Sequence, residues 1–368
     1  MFENRAEARI DLSRLSENIE LLKKKSKTNL LAVVKADAYG HGLVETAKAA
    51  ESAGADWLGV ALLEEAITLR KNGIKSPILA WLVPPGSNFQ SAVDLDIDLA
   101  IADLKALSEV SHLANKPRIH IEVDTGMSRG GFLDEWEDFL KSDFSKVDIV
   151  GIFSHFARAD EPLEKQNSQQ LNQFKKMVSQ LEAVGVKPQF KHLSNSAATL
   201  MNADATFDFV RTGIAMYGLS PDVKTLGDSS KLSLKPVMQV RAKLHLVKNV
   251  PEGSAVGYGA TQVTKTATKL GVVAMGYADG IPRVALNAGV FVNNRRAPII
   301  GRVSMDQFVV DLGPDTSAKS GDWVIIFGDG FRGEYTADDW GAASSSINYE
   351  IVTRIGPRVP RIYAPHVY

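Results

Sequence analysis

Short apolar runs recur through the first two thirds of the chain. They lie at Leu30–Val34, Trp57–Ala61, Ile78–Leu82, Asp98–Ile101, Ile119–Val123, Ile149–Phe153, Phe190–Leu193 and Phe207–Val210. Most are too continuous for strands with one wet face and suit strands buried on both sides. Helical stripes separate several of them. The clearest is Leu171, Phe174, Val178 and Leu181; another is Leu15, Ile19 and Leu22, with Lys23, Lys24 and Lys25 on its solvated side. Eight such strands alternating with helices predict a (β/α)8 TIM barrel of the α/β class rather than an open sheet.

From about Leu232 the period changes. Met238, Val240, Ala242, Leu244 and Leu246 alternate with Gln239, Arg241, Lys243 and His245, which predicts a strand with one wet face. Further strand-like runs follow at Leu270–Met275, Val290–Val292, Pro298–Ile300, Phe308–Leu312 and Trp323–Phe327. Asn293-Asn294 and Gly328-Asp329-Gly330 supply turns between them. The polar segment Ser220–Ser233 reads as a junction. The expected organisation is a barrel over residues 1–230 and a mainly β domain over 231–368.

Composition removes several functions. A formal net charge of -1 gives no reason to expect a nucleic acid or an acidic membrane surface as partner. The chain has no cysteine, so disulfides, thiolate metal sites and cysteine nucleophiles are excluded. No apolar stretch is long enough to cross a membrane as a helix, and Met1–Arg5 leads into no secretory signal, so the cytoplasm is the expected location. The histidines His41, His112, His120, His155, His192, His245 and His366 have no metal-ligand spacing, and no metal is expected.

A barrel enzyme carries its site at the C-terminal ends of its strands. Applied here, that rule gathers Lys35, Arg129, His155, Ser196 and Arg211 at one mouth. A lysine directly after a buried strand is costly unless paired, neutral or covalently used, and desolvation lowers its pKa in favour of Schiff-base chemistry with an aldehyde. A structural ion pair at the rim is the other reading. Ser196 opens a helix after strand seven, and Gly213 turns the chain after strand eight. Barrel enzymes commonly bind phosphate there, although a plain helix cap explains Ser196 as well.

The run Val33-Val34-Lys35-Ala36-Asp37-Ala38-Tyr39-Gly40-His41-Gly42 resembles the cofactor-lysine motif of bacterial alanine racemases. The resemblance extends through Asp124–Arg129, Ser154–Asp160, Asn195–Ala198, Arg211–Gly218, Val256–Thr261, Gly276–Gly280, Gly301–Gln307 and Arg358–Arg361. It implies a barrel followed by a β domain, pyridoxal 5′-phosphate as cofactor, and a homodimer in which each β domain completes the partner's active site. Lys35 would hold the cofactor and serve one face of the substrate Cα, and Tyr258 of the partner subunit the other. Arg211 would face the pyridine nitrogen and His155 the pyridine ring. Tyr39, Ser196, Gly213 and Ile214 would bind phosphate. Arg129, Met305, Asp306 and Tyr277 would place the substrate or line its entrance. The implied role is supply of D-alanine for peptidoglycan.

Two positions depart from the family pattern. Many members carry a carbamylated lysine seven residues before the Arg129 position; here it is Glu122, expected to supply the same negative charge towards Arg129. Some members have a phosphate-binding tyrosine before Arg-Val-Pro-Arg, and here Pro357 stands there. Three rival readings are a related decarboxylase of basic amino acids, a non-catalytic cofactor carrier and a broader racemase acting on serine. The decarboxylases use an acidic group at the pyridine nitrogen and a cysteine in the partner site. Arg211 and the lack of cysteine argue against them. The carriers lack a β domain and hence a Tyr258 equivalent. The serine-accepting racemase stays open.

Overall fold

The computed structural model describes residues 4–285 and 287–364, so His366 lies outside the described residues. The chain divides into two compact units, one of residues 15–38 and 43–234 and the other of the N-terminal segment to Arg14, Tyr39–Gly42 and the chain from Lys235 onward.

Strand β1 (Ala6–Ile10) belongs to the second unit. It pairs antiparallel with residues 238–242, Ala6 opposite Ala242 and Ile10 opposite Met238. This corrects the expected assignment of the first residues to the barrel. The alternation of β1 is too short to show which sheet receives it; the partner lies more than two hundred residues away.

The barrel strands are β2 (Asn29–Val33), β3 (Trp57–Val60), β4 (Ile78–Ala80), β5 (Ile97–Ile101), β6 (Arg118–Glu122), β7 (Asp148–Phe153), β8 (Phe190–His192) and β9 (Phe209–Thr212). All eight overlap the apolar runs, although the last begins at Phe209, two residues later than expected. They form one parallel sheet in the order β8-β7-β6-β5-β4-β3-β2-β9. At the seam, Asp208 N–H donates to Lys191 O (3.0 Å) and Arg211 N–H to Ser194 O (2.9 Å), so the barrel is nearly closed. The helix Lys165–Ala183 buries the predicted stripe Leu171, Phe174, Val178 and Leu181, together with Met177 and the polar Asn167 and Gln170. In the lysine run, Lys23 is tied to Asp56 at 2.9 Å rather than freely solvated.

The barrel interior is aromatic and polar together. Trp57 on β3 meets His120 on β6, Phe190 on β8 and Phe209 on β9, with ring centroids 5.4, 5.1 and 5.6 Å away. Strands that are not neighbours in the sheet thus touch across the centre, as in a filled barrel.

The second unit is built on β10 (Met238–Val250), β11 (Ala255–Val256), β12 (Gln262–Val263), β13 (Thr268–Val273), β14 (Gly289–Val292), β15 (Arg295–Pro298), β16 (Phe308–Asp311), β17 (Trp323–Phe327) and β18 (Arg361–Tyr363). The long β10 pairs with β1, β13 and β17. Its predicted alternation holds at Val240, Ala242 and Leu244, but Gln239 is buried and Leu246 is exposed. A register shift between Leu244 and Leu246 accounts for the exposure of Leu246. The Asn293-Asn294 turn joins β14 to β15 with φ of 50° and 58°, the left-handed pair a tight hairpin needs. The run expected at Pro298–Ile300 pairs earlier, over Arg295–Pro298. Two short helices, Ala337–Ala343 and Asn348–Thr353, complete the unit.

Candidate active site

Lys35 follows β2 at the barrel mouth and begins an unusual turn. Ala36, Asp37, Ala38 and Tyr39 have φ between 53° and 54°, and Gly40 has 79°, so the chain makes a turn of left-handed helix. For residues with a Cβ this costs about 1–2 kcal/mol each. Named contacts hold it. Glu65 Oε1 accepts from Ala36 N–H at 2.6 Å, and Asp37 Oδ1 accepts from Leu43 N–H at 2.8 Å. Glu65 also caps its own helix, Leu63–Lys71, through Ala61 and Leu62 N–H (3.1 and 3.0 Å), which fixes its carboxylate beside the lysine turn. Backbone strain of this kind concentrates where a side chain must be aimed.

Burial and the positive charge of Arg129 lower the Lys35 pKa, with Glu65 opposing them. The ammonium lies 5.8 Å from the centre of the Trp81 ring. Lys35 is therefore readier to be neutral than an exposed lysine, as an amine nucleophile or base requires.

Arg211 on β9 is buried and donates in several directions. Nη1 reaches His192 Nδ1 at 3.0 Å; Nη2 reaches Ser154 O at 2.7 Å, Leu193 O at 3.2 Å and His155 Nδ1 at 3.4 Å. Burial lowers its pKa to about 10, Glu122 opposing the shift and Arg129 adding to it. It stays charged at neutral pH. His155, after β7, is pushed down to about 3 by burial and by Arg211, Arg129 and Lys35, so it is a neutral imidazole. Gln170 N–H holds the His155 carbonyl at 2.9 Å. The mutual influence of Lys35, Arg129, His155 and Arg211 places four sequence-predicted residues in one electrostatic neighbourhood.

Arg129 sits on an exposed loop shaped by Asp124, whose Oδ1 accepts from Gly126, Met127 and Ser128 N–H at 2.8, 2.9 and 3.2 Å. Glu122 is partly buried at the end of β6. Burial raises its pKa while Arg129 and Arg211 pull it down. Its charge is coupled to Arg129 without a hydrogen bond between the two side chains among the described residues.

The segments after β8 and β9 meet at Ser196. Its hydroxyl accepts from Gly213 N–H at 2.9 Å and Ala215 N–H at 3.3 Å. Asn195, not Ser196, caps the helix Ser196–Met201, accepting from Ala198 N–H. The helix-cap reading of Ser196 therefore does not hold. Ile214 is 1% exposed, and its N–H has no acceptor among the described residues.

In the other unit, Tyr258, Tyr277 and Met305 are exposed, at 72%, 39% and 54%. Tyr258 stands on a tight turn between Gly257 (φ 72°) and Gly259 (φ 77°). Tyr277 N–H donates to Ser304 O (3.0 Å) and Ala278 N–H to Met305 O (2.9 Å), so backbone hydrogen bonds join the two loops. Asp279, fully buried, anchors them. It accepts from Gly276 N–H at 2.9 Å and pairs with Arg5 and Arg358, and Arg358 reaches Asp306 at 2.7 Å. Pro357 is exposed in the following turn. Tyr39, grouped with this unit, has its phenol pushed up to about 12 by burial.

Sequence reasoning missed Glu65, Trp81, Asp124, Asp279 and Arg358. Glu65 carried one signal, a carboxylate at the third position of a helix. Asp124 acts on its own loop, while Trp81, Asp279 and Arg358 become visible when distant segments meet. Among the described residues no group of three or more His, Cys, Asp or Glu is arranged to hold a metal, and no helix is long and apolar enough to cross a membrane.

Comparison with known proteins gives this geometry its family. Residues 10–221 match the model of the alanine racemase N-terminal domain and residues 237–363 that of its C-terminal domain. The chain belongs to the alanine racemase family. The alanine racemase of Salinispora tropica is 46% identical over 97% of this chain and 98% of its own length, and that of Thermobifida fusca is 47% identical with the same coverage. The crystal structure of alanine racemase from the D-cycloserine producer Streptomyces lavendulae superposes with a TM-score of 0.96 at 44% identity, covering 100% of this chain and 99% of that one. The Bacillus anthracis alanine racemase with bound L-Ala-P has a TM-score of 0.92 at 37% identity, covering 100% and 97%. The barrel followed by a mainly β domain is the alanine racemase fold, and the activity that goes with it is racemisation of alanine.

Proposed function

We propose that the chain racemises alanine with pyridoxal 5′-phosphate anchored at Lys35, using Lys35 on one face of the substrate and Tyr258 of the partner subunit on the other. The observation that carries this reading is the barrel mouth itself. A lysine with a lowered pKa, a neutral histidine and a buried arginine lie in one electrostatic neighbourhood, and the segments after β8 and β9 meet at the Ser196 hydroxyl.

The residues present fit that cofactor. The buried Ile214 N–H, without an acceptor among the described residues, and the Ser196 hydroxyl proton are donors suited to phosphate oxygens. When bound, the cofactor supplies an electron-withdrawing ring that acidifies the substrate Cα–H. The protein then needs a proton acceptor and a proton donor on opposite faces of Cα. The amine of Lys35, neutral more readily than an exposed lysine, takes one role. The phenol of Tyr258, raised on a glycine-flanked turn and 72% exposed, is available to a second subunit and takes the other. This supports a homodimer with shared sites, and Met305, Asp306 and Tyr277 share the exposed loops that would serve it.

Arg211 restrains the chemistry. A guanidinium only donates hydrogen bonds and does not hand over its proton, so a pyridine nitrogen facing it stays unprotonated. The ring is then a weaker electron sink, which favours simple proton return over transamination. Arg129, its charge coupled to Glu122, is placed to meet the substrate carboxylate. We place the reaction in the cytoplasm, supplying D-alanine for peptidoglycan.

The test is a visible spectrum of the purified protein with an assay of D-alanine formed from L-alanine. Cofactor absorbance and D-alanine formation that both disappear in Lys35→Ala support the reading. A protein that cannot be loaded with the cofactor refutes it.

A further inference from the structure

Behind Arg211 the barrel interior holds a chain of polar groups that the proposed reaction does not use. From the mouth inward, Arg211 Nη1 lies 3.0 Å from His192 Nδ1, His192 Nε2 lies 2.9 Å from His120 Nδ1, and His120 Nε2 lies 3.3 Å from Asp98 Oδ2. At the far end Arg118, the first residue of β6, grips Asp98 through Nε (2.9 Å) and Nη2 (3.1 Å). His120 and His192 are fully buried, and Asp98 is 3% exposed.

The protons in this chain can run only one way. A guanidinium has donors and no acceptor, so His192 Nδ1 must present a lone pair. His192 is neutral, because burial and Arg211 push its pKa well below the ordinary value. Its one proton is then on Nε2 and is donated to His120 Nδ1. Burial keeps His120 neutral in turn, so its proton is on Nε2 and faces the Asp98 carboxylate. Against the cost of burial, hydrogen bonds from His120 and Arg118 hold the Asp98 carboxyl below its usual range, and it accepts from both. The opposite tautomers would set a His192 N–H against an Arg211 N–H.

The arrangement is built rather than incidental. A Cβ on Gly151 would stand 2.0 Å from His120 Nδ1, so that position is left open for the ring. Trp57, Phe190 and Phe209 surround His120, and an apolar ring would fill the space without the cost of burying two polar nitrogens.

We propose that Asp98, His120 and His192 are positioning residues, a one-way relay of hydrogen bonds that pins the lone pair on His192 Nδ1 and so fixes Arg211 at the barrel mouth. Its consequence for the reaction rests on the reading of Arg211 given above. Asp98 selects the His120 tautomer, His120 selects that of His192, and His192 sets the direction of the guanidinium.

The experiment is a long-range proton–nitrogen correlation spectrum of the cofactor-loaded protein with 15N-labelled histidine. The expected result is a protonated Nε2 and an unprotonated Nδ1 on both His120 and His192. A proton on Nδ1 of either ring overturns the relay, and this reading needs no variant to fold. His120→Phe keeps the aromatic packing and removes both nitrogens. There the His192 Nε2–H loses its acceptor while Nδ1 still faces Arg211, so its Nε2–H resonance is expected to shift, and kcat to fall roughly tenfold or more with KM for alanine within about twofold. An unchanged His192 signal, or unchanged kcat, also overturns it. Arg211→Lys separates the two readings. An unaltered absorption maximum of the bound cofactor would refute the placement of Arg211 beside the ring nitrogen, while the histidine proton pattern decides the relay on its own.

Discussion

Replacing Gly151 by alanine adds one methyl group to the barrel wall and tests whether the interior is as tightly specified as it looks. The new Cβ would lie 2.0 Å from His120 Nδ1, 2.5 Å from its Cε1 and 2.6 Å from its Cγ. Non-bonded atoms rest near ~3.5 Å, so the ring must retreat by roughly 1.5 Å. Phe190 is parallel to it within 4°, and Trp57 packs 5.4 Å away, so it cannot retreat without disturbing both. A movement of that size also breaks both the 2.9 Å bond to His192 and the 3.3 Å bond to Asp98. Overpacking costs about 1–3 kcal/mol and each lost hydrogen bond about 1 kcal/mol, giving a destabilisation of about 3–5 kcal/mol. For a unit of this size each kcal/mol lowers Tm by about 2–4 °C, so the expected fall is roughly 6–20 °C. Calorimetry of the two proteins under matched loading measures it. Gly356→Ala is the control, because its added Cβ would meet nothing closer than 3.7 Å. A Gly151→Ala protein melting within about 2 °C of the parent would refute the packing argument, since that corresponds to under about 1 kcal/mol.

Arg211→Glu should raise transamination relative to racemisation, read as pyruvate formed per D-alanine; an unchanged ratio counts against the role given to Arg211. Glu122→Gln should raise KM for alanine by weakening the hold on Arg129, and identical kcat and KM would remove Glu122 from the site. His155, His120 and His192 are all held neutral below the ordinary histidine pKa, His155 at about 3. The unfolded chain therefore takes up protons first on acidification. The stability these groups contribute is complete above about 6.5 and is lost as pH falls from there towards about 3. A thermal midpoint that does not decline over that range would contradict the assignment, and His155→Asn should make the decline shallower.

The strands of the barrel were legible because both faces are buried, which leaves continuous apolar runs such as Ile149–Phe153. The least continuous run, around Asp98, contains a charge that is buried and answered by Arg118 and His120; the sequence places those two residues far from it. The mouth was legible by rule, since Lys35, His155, Ser196 and Arg211 each follow or end a strand. The left-handed turn at Ala36–Tyr39 was not, because four ordinary L-residues carry no mark of positive φ, and the carboxylates that stabilise it come from Glu65 and Asp37. The pairing of β1 with β10 and the meeting of His120 with His192 depend on closure of whole units. Spacing along the chain could not show either.

The central claim is that two different groups serve the two faces of the substrate. Its most direct test is deuterium exchange at Cα in heavy water, followed separately from L- and D-alanine, in the parent protein and in Tyr258→Phe. The parent should give the inverted, labelled product from both enantiomers. Tyr258→Phe should still label one enantiomer with retention through Lys35, while inversion falls by about 10²–10⁴-fold. Inversion of both enantiomers at the parent rate in Tyr258→Phe would contradict the account.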